Sequence, residues 1–152
     1  MEESVELSAR LGCKVNQAFE MFTNKEHLSS WLPIVTCVEP KEGGKYEISW
    51  TKKKPSIQCK ILIYIPNYSI VFEWNGPPDG PFMHSSELDI EVTIYFLPMD
   101  DEKKTDRQFT DVHLVLTIMN DPYNDEDIKS WFENSWATAF EKLVEHVNDT
   151  FQ

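Results

Sequence analysis

Any chemistry in this chain would have to come from four histidines, three cysteines and one glycine pair. His27, His84, His113 and His146 stand far apart, and none falls at a metal-ligand spacing from Cys13, Cys37 or Cys59. His146 borders an apolar helical stripe and His113 lies on the polar side of an alternating segment. His84 sits in the loop GPFMHSS, placed to stand at a cavity mouth. Three scattered cysteines do not make a disulfide framework. Cys59 falls on the inward side of a strand, where a thiol behaves as a small hydrophobe. The segment EGGKY has the glycines of a phosphate cradle but no helix N-terminus behind it, so it reads as a tight turn. There is no nucleophile elbow, phosphate loop or catalytic carboxylate pair. A cyclase or hydrolase would require Tyr46, His84 and Glu47 to converge, whereas alternation turns Glu47 away from Tyr46. Neither a cofactor nor a metal site is expected.

These positions have to be held by regular elements, and periodicity defines them. VELSARLG alternates, with Val5, Leu7, Ala9 and Leu11 on one face, as in a half-buried strand. KVNQAFEMFTN spaces Val15, Ala18, Phe19 and Phe22 helically, and KEHLSSWLP adds a short helix stopped near Pro33. A short strand, a turn at Gly43–Gly44 and a strand carrying Tyr46, Ile48 and Trp50 on one face come next. Four alternating segments follow, carrying Ile57–Ile65, Ile70–Trp74, Leu88–Phe96 and Val112–Ile118. The connections between them are of hairpin length. WFENSWATAFEKLVEHV at 131–147 closes the chain as a helix, with Phe132, Trp136, Ala139, Phe140, Leu143 and Val147 on one stripe. A sheet that is apolar on one face needs a cover, and this helix is the one element long enough to provide it.

The inward set is almost wholly apolar: Tyr46, Ile48, Trp50, Cys59, Ile61, Phe72, Trp74, Ile90, Val92 and Leu116 from the strands, and Phe132, Trp136 and Phe140 from the helix. With His84 at the mouth, these are the candidate lining of a ligand cavity, which would select a hydrophobic guest and offer few hydrogen bonds for catalysis. The competing reading is that the same aromatics fill the interior. On the outer face, Leu62, Tyr64, Val71, Tyr95, Val115 and Met119 break the polar alternation and form a candidate surface for a partner or for self-association.

The totals agree with one domain spanning 1–152. The chain has 152 residues, 41% of them hydrophobic and 12% aromatic, with a net charge of -12. That charge opposes nucleic acid and anionic membranes, whose binding relies on Lys and Arg. No apolar run reaches membrane-spanning length, and MEESVELSAR lacks a secretory pattern, so a reducing cytoplasmic setting is expected.

The order of strand, helix pair, meander and long C-terminal helix is that of the START-type helix-grip superfamily. The segments CKVNQAFEMFTNKEHLSSWL, EGGKYEI, IVFEWNGPP, SELDIEVTIYF, HLVLTIMNDP and ENSWATAFEKLVEHV together resemble the activators of the ninety-kilodalton heat-shock protein ATPase. More closely, they are similar to the single-domain relatives of that family, over roughly residues 4–148. The resemblance implies an α+β fold, with a curved antiparallel sheet of about six or seven strands wrapped on the C-terminal helix. The function expected from these residues is non-catalytic binding of a small hydrophobic or aromatic molecule. The alternative, which the resemblance implies, is a protein-interaction module related to heat-shock-chaperone activators. An enzyme of the cyclase or hydrolase kind ranks last.

Overall fold

The computed structural model describes residues 3–32, 34–49, 58–75, 89–100, 108–120 and 126–151. In chain order it contains β1 (Glu3–Leu11), α1 (Val15–Thr23), α2 (Lys25–Trp31), β2 (Ile34–Val38) and β3 (Tyr46–Ser49). These are followed by β4 (Gln58–Ile65), β5 (Ser69–Asn75), β6 (Asp89–Asp100), β7 (Gln108–Asn120) and α3 (Glu126–Phe151). Five strands form one antiparallel sheet in the order β1-β7-β6-β5-β4, and β2 and β3 form a hairpin of their own. The architecture is the expected α+β helix-grip.

Local chemistry explains the joints. Asn24 caps α2, its side-chain oxygen accepting from the Glu26 N–H at 2.9 Å, and so satisfies a donor that a helix start leaves open. Between β4 and β5 the chain reverses through Pro66 and Asn67. Asn67 adopts φ 62° and Tyr68 N–H donates to the Ile65 carbonyl at 3.0 Å, as in a type II turn. The Gly43–Gly44 turn fastens the small hairpin to the large sheet. Gly43 N–H donates to Ile61 O and Ile61 N–H donates to Gly44 O, each at 2.8 Å. Gly43 takes φ +79°, and a Cβ on Gly44 would overlap the Glu39 carbonyl. The turn's amides are consumed within the fold, so it is no phosphate cradle.

Register places the concave face in rows across the strands. Val5, Leu116, Val92, Phe72 and Ile61 form one row, and Leu7, Leu114, Ile94, Ile70 and Tyr64 form the next. On α3, the predicted stripe of Phe132, Trp136, Ala139, Phe140, Leu143 and Val147 is buried throughout. Burying such side chains contributes roughly 1.5–3 kcal/mol each.

One expectation is corrected. Strict alternation puts Ile63 and Ile65 inside and Tyr64 outside. The ladder instead shifts between Ile61 and Ile63, because Leu62 is an extra residue opposite the Phe72–Val71 step. A one-residue offset exchanges the faces of everything beyond it. Tyr64 therefore turns to the core and packs edge-on against Phe19, with centroids 5.4 Å apart, while Ile63 and Ile65 are exposed.

Candidate functional site

The concave face is closed at one end by α1 and α2. Phe22 is the hub there: its ring lies 4.9 Å from Trp31, 5.1 Å from Phe96 and 6.4 Å from Phe140. Phe19 meets Phe96 at 5.1 Å, and Trp31 meets Phe140 at 6.2 Å. Edge-to-face packing of this kind fills space densely. The last carbonyls of α1 would be orphans in this apolar setting, and two aromatic side chains satisfy them. Trp31 Nε1–H donates to Met21 O at 2.9 Å, and Tyr46 O–H donates to Phe22 O at 2.7 Å. Thr110, also buried, donates to Cys13 O at 3.0 Å. The polar atoms of Tyr46 and Thr110 thus serve the backbone.

Of the predicted lining, Tyr46, Ile61, Phe72, Ile90, Val92, Leu116, Phe132, Trp136 and Phe140 are all buried between the sheet and the helices. Tyr46 stacks obliquely on Phe72 at 4.9 Å. Ile48, Cys59 and Trp74 belong to β3, β4 and β5, and the ladder pairs Cys59 with Trp74 and Trp74 with Ile90. Their side chains, together with Trp50, His84 and most of the Pro/Gly-rich loop Asn75–Pro81, which the sequence places to act as a lid, fall outside what is described. Beyond the ring cluster the concave face is aliphatic, with Ile90, Val92, Leu116 and Ile118 buried there.

Hollows open on the described surface. An apolar slot of about 270 Å³ runs between β1 and α3, lined by Leu7, Ser8, Ala9, Ala137, Phe140, Glu141 and Val144. It was not foreseen from the sequence, because Ala137 lies at the edge of the α3 stripe and only packing brings it opposite Ala9 on β1. Another hollow, of about 420 Å³, lies beside the start of α1 at Gly12, Cys13, Lys14, Gln17 and Phe151. Burial pushes the Cys13 thiol up to about 11, far from a reactive thiolate. Among the described residues no group of three or more His, Cys, Asp or Glu could hold a metal ion, and no helix is long and apolar enough to cross a membrane.

The convex face carries an apolar patch. Ile63 is 47%, Ile65 45% and Tyr68 48% exposed, with Tyr95 beside them, and Val71 at 7% lies beneath. Of the residues expected there, Val71, Val115 and Tyr95 lie on this face, Leu62 sits at the bulge, Met119 is exposed at a second register shift, in β7, and Tyr64 is on the other side. Sequence separation also hid one pairing: His27 Nδ1 and His146 Nε2 are 3.0 Å apart, joining α2 to α3.

Solved structures share this architecture. Protein MLL2253 from Mesorhizobium loti matches with a TM-score of 0.75 at 18% identity, over 99% of this chain and 100% of its own. CalU16 from Micromonospora echinospora matches with a TM-score of 0.68 at 16% identity, over 96% and 76%. The Aha1 dimer from Colwellia psychrerythraea, solved in solution, matches with a TM-score of 0.64 at 14% identity, over 95% and 96%. At these identities the likeness is one of fold. No curated protein sequence matches the chain. The family model for Activator of Hsp90 ATPase homolog 1-like protein matches residues 13–148, so the chain, whose helix grip and buried α3 stripe fit that fold, belongs to this family.

Proposed function

We propose that the chain is a non-catalytic receptor for a small hydrophobic molecule held between the concave sheet and α3. The observation that carries this reading is the slot between β1 and α3. It is mainly apolar and reaches Phe140, a member of the predicted wall. Behind the slot, Ile90, Val92 and Leu116, with Phe132 and Trp136 on α3, are buried in the core that a guest would have to part; Ile48, Trp50, Cys59, Trp74 and His84 belong to the same proposed lining. Apolar enclosure with few oriented polar groups suits binding over chemistry. Titration with fatty acids, sterols and flavonoids, read by Trp emission and thermal shift, tests it. A stabiliser should raise the melting temperature of the wild type, and Ala137→Trp, which fills the slot, should abolish that rise. If no ligand class moves either signal, the reading fails.

The convex patch favours a second reading, docking of a protein. The family's name points to a heat-shock chaperone, and the Colwellia structure is a dimer. A pull-down and ATPase assay with the host chaperone, with sedimentation for self-association, separates this reading from the first.

A further inference from the structure

We propose that His27 and His146 form a pH-sensitive latch that fastens α2 to the C-terminal half of α3 and lets go in mild acid. The two residues are 119 positions apart in sequence, yet Nδ1 of one ring lies 3.0 Å from Nε2 of the other. The ring centroids are 5.3 Å apart with the planes tilted by 54°, so the rings meet end-on through those nitrogens. That is the geometry of a hydrogen bond, which favours a straight N–H···N line. Two imidazoles sharing a metal ion would instead turn both lone pairs toward a third point. The bond requires one ring to present N–H and the other a bare nitrogen, an arrangement open to neutral imidazoles. Once the accepting nitrogen is protonated, two donors and a new charge face each other across the same gap.

The surroundings work in the same direction. Burial, and then the neighbouring His27, hold His146 below its ordinary 6.5, with Asp149 pulling it upward. Asp149 on α3 acts on His146 directly; the neighbouring elements also carry Lys25 and Glu26 on α2, Glu20 on α1, and Lys142 and Glu145 on α3, and β2 carries no charge. Because the closed form lowers the His146 value, the latch contributes fully above 6.5. Its contribution is lost as pH falls through the lower value of the closed form. The latch controls a substantial joint: α2 carries buried Leu28 and Trp31, and Trp31 touches Phe140 of α3. Opening it would uncover the ring cluster at that end of the core.

The test is amide hydrogen exchange of Leu28, Trp31 and Leu32, corrected for intrinsic rates, between pH 7.5 and 5, alongside an NMR titration of the histidine ring protons. In the wild type the opening constant of α2 should rise by up to about tenfold per pH unit below 6.5, the slope for uptake of one proton. His146→Gln retains a hydrogen-bonding side chain that does not titrate, so its opening should be nearly independent of pH, whereas His27→Gln leaves the buried His146 to titrate and should weaken the dependence without abolishing it. Equal pH dependence in wild type and His146→Gln would overturn the proposal. So would a wild-type His146 that titrates at or above 6.5, a measurement that needs no variant.

Discussion

At the scale of single residues, the buried polar atoms of Trp31, Tyr46 and Thr110 are structural fasteners. Tyr46→Phe removes the donor on Phe22 O and leaves a buried helix-end carbonyl unsatisfied, so stability should fall by about 1–3 kcal/mol in urea unfolding with little change in slope. Cys13 is buried, and its thiol is pushed up to about 11. In native protein at pH 8 it should resist alkylation and become reactive once urea unfolds the chain, as mass mapping of modified cysteines will report. On the surface, Arg10 donates to Asp111 through two nitrogens, at 2.8 and 3.2 Å. That hydrogen bond lowers the Asp111 carboxyl below its usual 3.8. Its folded value is depressed, so the contribution is present above 3.8 and lost as pH falls below it. The Arg10 side chain is 62% exposed, so Arg10→Ala should cost only about 0–1 kcal/mol at pH 7, less in high salt and less as Asp111 is protonated in acid.

At the scale of elements, the bulge at Leu62 is the feature with the widest consequences. It brings Tyr64 onto Phe19 and sends Ile63 and Ile65 outward. Tyr64→Ala should therefore destabilise by about 1–3 kcal/mol, whereas Ile63→Ala should stay within about 0.5 kcal/mol. Unfolding midpoints of the two variants in the opposite order would mean that β4 alternates without interruption. The remaining strands and helices were legible from their sequence because side-chain direction repeats locally, every second residue in a strand and every 3.6 in a helix. Val112, Leu114, Leu116 and Ile118 declare their face by that rule alone, and all four are buried. Nothing of the kind marks Leu62, since an inserted residue in Ile61–Ile65, where every side chain is apolar, leaves the hydrophobic pattern unchanged.

At the scale of the whole molecule, two surfaces compete for the function, the concave face under α3 and the patch around Ile63, Ile65, Tyr68 and Tyr95. The acidic chain, at -12, repels copies of itself, so any association must come from buried apolar area. Ile63→Ser combined with Ile65→Ser should abolish whatever chaperone binding or self-association sedimentation detects in the wild type. The midpoint of unfolding should hardly move, because both side chains are nearly half exposed. Ligand-induced stabilisation should survive that double substitution, and this divides the two proposed functions.

Composition and period determined the order of strands and helices and the apolar character of one sheet face, because each of these follows from where consecutive side chains must point, and the resemblance carried by that order implied the helix-grip arrangement. Tertiary structure decided the rest: which rings meet at Phe22, the bulge at Leu62, the slot beside Ala9 and Ala137, and the pairing of His27 with His146. Each depends on the distance between residues remote in sequence, and that distance is set by how the elements pack, which no local pattern encodes.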